Sequence, residues 1–217
     1  MVRKTGETAK KTVTQYSQRK PRLNLRGTLN SNTVLLTGNE YNHAIKTPVT
    51  ATDGVVSVFL APGNAWNRTN APVQKVGALF QKGIYLPGTK LTYIPSVGLN
   101  TPGNIIIGFL DSPVMIENYF SKTTDADRIA FLYDLGNFKT GPVWQQMEYP
   151  LTQPPRRKVF ITDNSISAAM IDYDLSMQGM WIVAVAGTNA GGSGGTTVGQ
   201  LVIHCRCKFE EVKSHTS

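Results

Sequence analysis

The sequence predicts an all-β protein, an antiparallel sandwich or barrel formed in one domain of a 217-residue chain. Three observations favour this class. Short runs with strand-like alternation recur from residue 31 onward, most of the 20 glycines and 12 prolines fall between them, and neither a strand–helix–strand alternation nor an internal repeat is present. The apolar runs are much shorter than the roughly 20 residues of a transmembrane helix, so no membrane partner is expected.

Residues 32–61 predict three strands, the last two of which form a hairpin. Residues 32–36 and 42–51 are rich in strand-forming side chains, and 55–61 is a further apolar run. Thr52-Asp53-Gly54 lies between the last two of these runs. Asp-Gly between β-rich segments is a strong hairpin signal, so we expect 42–51 and 55–61 to pair.

Two short helices are predicted. In 71–81 the residues Val73, Val76, Leu79 and Phe80 have helical spacing. In 125–135 the apolar residues also recur at helical spacing, and two aspartates lie in the first turn, where the helix dipole favours negative charge.

The remaining strands bring the total to about eight. The run 104–110 is continuously apolar, as in a strand buried on both faces, whereas 85–97 and 199–212 alternate. They are predicted at 85–97, 104–110, 158–162, 181–186 and 199–212. The glycine-rich segment 187–199 is expected to be an interstrand loop, because no helix follows it to bind a phosphate.

The positive charge of the chain is concentrated at its N-terminus. Residues 1–26 contain eight basic residues against Glu7, a net charge of +7, whereas the rest of the chain contributes only +1 of the total of +8. We divide the chain into a disordered basic arm, 1–30, and a body, 31–217, because the arm has too little apolar surface to fold alone. The basic residues of the arm are Arg3, Lys4, Lys10, Lys11, Arg19, Lys20, Arg22 and Arg26.

Such an arm is suited to binding the phosphate backbone of a nucleic acid. Each neutralised phosphate releases counterions, so binding would be salt-sensitive and independent of sequence. Tyr16 is the only aromatic ring of the arm, so base-specific recognition is not expected. A solubility tail, or a nuclear-localisation signal at 18–22, remains an alternative.

The sequence contains no recognised catalytic or metal-binding motif. Walker A, H-E-x-x-H and G-x-S-x-G sequences are missing, and a cysteine paired with His43 has no activating neighbours. The acidic pairs 125–127 and 172–174 have too few ligands for a calcium loop, and Asp111 would need Glu117 or a neighbouring subunit. We therefore predict neither an enzyme nor a cofactor or resident metal.

The segment VIHCRCKFEE contains both cysteines and one of the three histidines. Strand alternation places Cys205 and Cys207 on an apolar face and His204 on the opposite face, so the three cannot bind one metal. His204, Arg206 and Lys208 then form a basic stripe. This stripe either faces the nucleic acid or pairs with acidic residues, in the same chain or a neighbouring one.

Three stretches resemble the shell domain of tombusvirus- and sobemovirus-like capsid proteins. Residues 85–111, YLPGTKLTYIPSVGLNTPGNIIIGFLD, contain a Tyr-x-Pro strand end, a Thr-x-Gly turn and a buried strand ending near an aspartate. Gly141-Pro142-Val143-Trp144 and the last strand, 198–212, also resemble that family. The similarity spans roughly residues 30–212. Related shell domains occur in small circular single-stranded DNA viruses.

The resemblance implies an eight-stranded jelly roll that assembles with itself into an icosahedral shell around a single-stranded RNA or DNA genome. It also implies a location in the virion, after synthesis in the host cytoplasm, with nuclear entry possible. The arm is short for the larger shells of the family, no protruding domain is expected after the last strand, and the paired-aspartate calcium element is not reproduced. A non-structural single-stranded nucleic-acid-binding barrel is the alternative, and a lectin-like sandwich is a third possibility.

Overall fold

A computed structural model describes residues 24–27, 33–48, 53–61, 72–151, 159–160, 177–189 and 195–213. These residues form eleven strands and three helices. The strands are β1 (Asn24–Gly27), β2 (Thr33–Lys46), β3 (Gly54–Phe59), β4 (Phe80–Tyr85), β5 (Lys90–Pro95), β6 (Asn104–Leu110), β7 (Phe138–Pro142), β8 (Met147–Pro150), β9 (Val159–Phe160), β10 (Met180–Ala186) and β11 (Thr197–Val212). The helices are α1 (Pro72–Gly77), α2 (Pro113–Phe120) and α3 (Asp125–Leu135).

The strands form two antiparallel sheets. Sheet A has the order β1–β2–β11–β4–β9, and β5 pairs with both β11 and β8; sheet B has the order β3–β10–β6–β7. The central strands of the two sheets are therefore β2–β11–β5–β8 and β3–β10–β6–β7. The chain passes from one sheet to the other six times, between β2 and β3, β3 and β4, β5 and β6, β7 and β8, β9 and β10, and β10 and β11. This is the predicted jelly roll of two four-stranded sheets, here with three additional short strands and three helices.

The main core lies between the two sheets, where alternate side chains of each strand meet. Sheet B contributes Ile105, Ile107 and the fully buried Trp181, and sheet A contributes Leu91 and Phe209 among others. The predicted run 104–110 is confirmed as β6, and it is buried on both faces because its intervening residues pack in a second cluster.

The second cluster lies on the other face of sheet B, beneath α2 and α3. Ile106 and Ile182 of the sheet pack there with Ile116 and Tyr119 of α2 and Leu132 of α3. The molecule thus has three layers: sheet A, sheet B and the helices α2 and α3. Helix α1 lies elsewhere, in contact with β2 and β4 of sheet A, and its Val73 packs in the main core.

Helix α3 matches its predicted bounds, and its start shows why the sequence specifies it. The side chain of Thr124, the residue before the helix, accepts a hydrogen bond from the backbone N–H of Asp127, and its hydroxyl donates to the Asp127 carboxylate. This is an N-cap with acidic residues in the first turn. Gly136 ends the helix in a left-handed conformation, φ 65°.

The predicted hairpin at 52–54 is wrong. Strands β2 and β3 lie in different sheets, and β3 pairs with β10 through registers such as Gly54 with Val185. The Asp53 carboxylate accepts a hydrogen bond from the backbone N–H of Gly187, so this residue ties two connections together instead of turning a hairpin. The two strands predicted at 32–36 and 42–51 are one continuous strand, β2.

The helix predicted over 71–81 is shorter in the structure. It ends at Gly77, and Phe80 begins β4. Phe80 is buried in the main core with its ring stacked on Phe209 at a centroid distance of 5.7 Å, whereas Leu79 is exposed. Packing of Phe80 in the sandwich therefore outweighs the helical spacing of the local sequence.

The run 85–97 is divided between two strands that lie end to end along β11. Cys207 pairs with Tyr85 in β4, and His204 pairs with Lys90 in β5. Between them Gly88 has φ 91°, a conformation that favours glycine. Strand β1 lies inside the segment assigned to the arm, so residues 24–27 belong to sheet A. None of the described helices is long and apolar enough to cross a membrane.

Candidate nucleic-acid interface and assembly surfaces

The basic segment joins the body at one edge of sheet A. Strand β1 pairs antiparallel with β2, and Arg26 stands directly opposite Leu35. The other basic residues predicted to bind nucleic acid lie outside the described residues; these are Arg3, Lys4, Lys10, Lys11, Arg19, Lys20 and Arg22. The register of β1 nevertheless fixes where this segment enters the fold.

The basic stripe on β11 lies on the outward face of sheet A, as predicted, but its members have partners. Lys208 Nζ lies 2.6 Å from the carboxylate of Glu210. His204 Nδ1 is 2.7 Å from Asn39 Oδ1, and Arg206 donates to the carbonyl of Pro87 over 2.7 Å. Of the two arrangements left open by the sequence, pairing with acidic residues therefore holds for Lys208.

Neighbouring strands repeat this pairing. Lys82 on β4 lies 2.8 Å from Glu211, and Lys90 on β5 lies 2.8 Å from Glu148 on β8. Exposed pairs of this kind contribute only about 0–1 kcal/mol each to stability. Their main effect is on the surface charge, because each pair neutralises one cation of the outward face of sheet A.

The helical layer on the other side of the sandwich is acidic. Residues 111–135, which contain α2 and α3, include five acidic and two basic side chains. One of the bases, Arg128, is paired with Asp125 at 3.1 Å. Strand β1, which follows the basic residues 1–23 in the chain, lies at the edge of sheet A, whereas the acidic helices α2 and α3 lie beyond sheet B.

The cysteines lie in the main core, as the alternation predicted. Cys205 and Cys207 are both free and fully buried, and Cys205 Sγ lies 3.9 Å from a carboxylate oxygen of Glu40. Burial is the main reason why the pKa of the Cys207 thiol is well above its usual range, with neighbouring Cys205 and Glu40 adding to the effect. A thiol held protonated is the opposite of an activated nucleophile.

Asp111 and Glu117, considered above as cation ligands, both lie in the described part of the chain. No group of three or more His, Cys, Asp or Glu side chains is arranged there to hold a metal ion. Asp125 and Asp127 are the helix start described above. Residues 172–174 lie outside the described residues.

Tyr93, in the Tyr-x-Pro stretch of the predicted resemblance, connects the sheets at the end where β5 stops. Its buried hydroxyl lies 2.6 Å from the carbonyl of Val143, after β7, and 3.0 Å from that of Val198 in β11. Burial raises the pKa of Tyr93 to about 12, so the hydroxyl remains a hydrogen-bond donor at any physiological pH.

That end of the sandwich holds a surface that the sequence reading missed. Leu99, after β5, is 74% exposed, and Trp144, after β7, is 36% exposed. Hydrogen bonds link the connections on which these residues lie, as from Val143 N–H to the carbonyl of Gly103 at 3.1 Å. No local motif marks such a surface, because it forms only when the fold brings distant loops together.

Comparison of the chain with known proteins gives matches in structure only. No protein-family model and no curated protein sequence matches it. The chain in the crystal structure of cucumber necrosis virus has a TM-score of 0.65 at 16% identity, covering 92% of this chain and 56% of that one. Tobacco necrosis virus gives 0.65 at 12% identity, covering 91% and 90%, and mud crab tombus-like virus gives 0.67 at 9% identity, covering 87% and 93%.

This chain therefore spans little more than half of the cucumber necrosis virus chain, although it spans most of the other two. At such identities the likeness establishes the fold alone, a jelly roll like that of these viral chains. The resemblance to capsids of circular single-stranded DNA viruses stays a prediction.

Proposed function

We propose that this chain is a viral coat protein. Its jelly-roll body assembles with copies of itself into an icosahedral shell, and its basic N-terminal segment binds a single-stranded genome, RNA or DNA. The observation that carries the proposal is the fold itself, together with the position of β1, which attaches the basic segment to sheet A and opposite the acidic helices.

The charge distribution supports this division of labour. The body has a net charge of only +1, so many copies can pack side by side without strong repulsion, whereas residues 1–26 contribute +7 per copy. Residues 1–23 can extend at most about 80 Å from Asn24, far enough to reach phosphates well away from the shell wall. Binding of this kind depends on salt and not on base sequence.

The paired state of the sheet A face indicates which residues bind the genome. Lys82, Lys90 and Lys208 each already lie within 2.8 Å of a carboxylate of the same chain. A phosphate would have to compete with these carboxylates. The main contacts are therefore assigned to Arg3, Lys4, Lys10, Lys11, Arg19, Lys20, Arg22 and Arg26.

The alternative of a non-structural single-stranded nucleic-acid-binding barrel has less support. Such a protein stacks bases on aromatic rings that lie among basic residues on one sheet face. On β2, β4, β5, β8 and β11 of sheet A, Tyr41 is the one exposed Phe, Tyr or Trp, and Trp181 of sheet B is fully buried. A lectin-like sandwich would leave the basic segment without a role.

The proposed function places the protein in the virion after synthesis in the host cytoplasm. Residues 18–22, QRKPR, are a candidate signal if assembly requires entry into the nucleus. The shell role needs no catalytic group and no cofactor.

Deleting residues 2–23 tests the role assigned to the basic segment. The deletion removes seven of its eight basic residues and leaves β1 in place. Particles should still form, as judged by sedimentation, while the co-purified nucleic acid, read from the 260/280 nm absorbance ratio, should fall at least fivefold. A variant with residues 2–23 in scrambled order keeps the charge and should retain the nucleic acid. Unchanged nucleic-acid content after the deletion would refute the assignment.

A further inference from the structure

His204 lies in the middle of β11, the long strand that pairs with both β2 and β5. Its register partners are Asn39 on β2 and Lys90 on β5. Side chains of directly opposite residues in antiparallel strands point to the same face, so these three residues form one row across the outward face of sheet A. Arg206 lies two residues along β11 and is therefore on the same face, beside the row.

His204 differs from the neighbouring cations in the kind of partner that it has. Lys90 and Lys208 each lie within 2.8 Å of a carboxylate, and Arg206 donates to a backbone carbonyl. His204 Nδ1 instead lies 2.7 Å from Oδ1 of the exposed Asn39, a neutral amide. His204 forms no ion pair with a carboxylate of the described chain. A positive charge gained by its ring is therefore available to an anion from outside the subunit.

The hydrogen bond to Asn39 determines which nitrogen of the His204 ring carries the hydrogen. An amide oxygen can only accept, so Nδ1 donates to it and the neutral ring has its lone pair on Nε2. A phosphate oxygen is also an acceptor, so it gains nothing from Nε2 of the neutral ring. Protonation places a donor and a positive charge at that atom, and histidine side chains gain this charge between pH 8 and pH 5.

The charges that face His204 come from three neighbouring positions. On β5 it faces Lys90, which is paired with Glu148 of β8 at 2.8 Å, and on its own strand the next residue of the same face is Arg206. On β2 the titratable side chain of this face is Tyr41, two residues from the row. The pair of Lys90 with Glu148 is neutral as a whole, so Arg206 leaves the surroundings of the ring positive. These surroundings favour an anion as ligand.

We propose that His204 is a pH-dependent phosphate contact on the body of the protein. In the protonated ring Nε2–H donates to a phosphate oxygen of the genome, beside Arg206 and Lys90. Binding of phosphate and uptake of the proton are then coupled, so the body holds nucleic acid more tightly at acidic pH than at neutral pH. This assignment rests on the proposed function, because it adds a genome contact outside the N-terminal segment. Residues 1–26 contain no histidine, so their lysines and arginines keep their charge over this pH range.

Oligonucleotide binding by the full-length chain at two pH values tests the assignment. The probe is a fluorescently labelled oligothymidylate of 20 nucleotides, followed by anisotropy at protein concentrations below those that form particles. The dissociation constant should be at least threefold lower at pH 5.5 than at pH 7.5 in the same salt. The slope of log affinity against log salt should also be steeper by about 0.7 at pH 5.5, because one more phosphate is neutralised per copy.

Two substitutions at the same position hold the side chain in its two charge states. His204→Gln stays neutral, so at both pH values it should bind as the parent chain binds at pH 7.5. His204→Lys stays charged, so at both pH values it should bind as the parent chain binds at pH 5.5. The matched control is His215→Gln, the same substitution at another histidine, which should retain the pH dependence. Circular dichroism will verify that each variant is folded.

A His204→Gln chain that keeps the pH dependence of the parent would overturn the assignment. Equal affinity of the parent chain at both pH values would also overturn it. In either case the chain still binds the oligonucleotide, so the role proposed for the basic N-terminal segment stands. A parent chain that binds the oligonucleotide at neither pH would instead refute the proposed genome-binding function itself.

Discussion

Replacing Gln178 should test how the two sheets are held together. Gln178 is fully buried just before β10, and its backbone N–H donates to the carbonyl of Leu60, which follows β3 in sheet B. Its side-chain amide binds Tyr85 of sheet A, accepting from the backbone N–H and donating to the backbone carbonyl over 3.1 Å. One residue thus bonds to both layers.

The position of Tyr85 explains why this contact is needed. Strand β9 pairs with β4 at Lys82 and Gly83. Two residues further along the same edge, the N–H and C=O of Tyr85 point away from β11 and have the amide of Gln178 as their partner. The side chain therefore continues the hydrogen bonding of a sheet edge that would otherwise be buried without partners.

Gln178→Leu keeps the volume of the side chain but removes both hydrogen bonds. Each buried backbone group left without a partner costs about 1–3 kcal/mol, so the free energy of unfolding should fall by about 2–6 kcal/mol. That is a large part of the 5–15 kcal/mol typical of a domain. The assay is urea unfolding of the dissociated subunit, followed by tryptophan fluorescence.

The matched control is Gln81→Leu, the same substitution at an exposed position of β4. It should change the free energy of unfolding by less than about 0.5 kcal/mol. A loss below about 1 kcal/mol for Gln178→Leu, with an unchanged slope against urea, would show that the amide does not hold the edge of sheet A.

Three further predictions concern the core and the loops. The thiols of Cys205 and Cys207 should resist a thiol reagent at pH 8 in the folded chain and react fully after denaturation, because both are buried and the pKa of Cys207 is raised. Reaction of two equivalents of reagent with the native chain would contradict this prediction. The free energy of unfolding should fall as pH rises from 10 towards 12. Burial raises the pKa of Tyr93 to about 12 and also raises those of Tyr85, Tyr119 and Tyr149, so these tyrosines ionise in the unfolded chain before they ionise in the folded one. A midpoint of urea unfolding that stays constant over this pH range would refute the prediction. Gly103→Ala should lower the free energy of unfolding by about 1–3 kcal/mol, because residue 103 has φ 104° and a Cβ there would lie 2.4 Å from Thr188 Cγ2. The control is Gly98→Ala, which should be nearly neutral because a Cβ at residue 98 meets nothing within 4 Å.

The sequence predicts the parts of the fold that depend on local periodicity. Strand alternation in 199–212 places Cys205, Cys207 and Phe209 in the core, and helical spacing with two aspartates in the first turn predicts α3. These predictions are confirmed because the side-chain period of a strand or helix and the charge of a helix start are properties of neighbouring residues.

Features that depend on distant residues could not be predicted in this way. Asp53-Gly54 has the local chemistry of a hairpin, but pairing of β3 with β10 places it between the sheets. The partners of Lys82 and Lys90, Glu211 and Glu148, are supplied by other strands. The surface that exposes Leu99 and Trp144 is another case, since the two connections that carry these residues are distant in sequence and meet only in the fold.

Imaging the assembled protein by electron microscopy tests the proposed coat function most directly. The purified full-length chain should form uniform closed shells in which sheet A faces the nucleic-acid density and the α2–α3 layer faces outward. A chain that remains monomeric across salt and pH would contradict the account, and so would shells in which the helices line the interior.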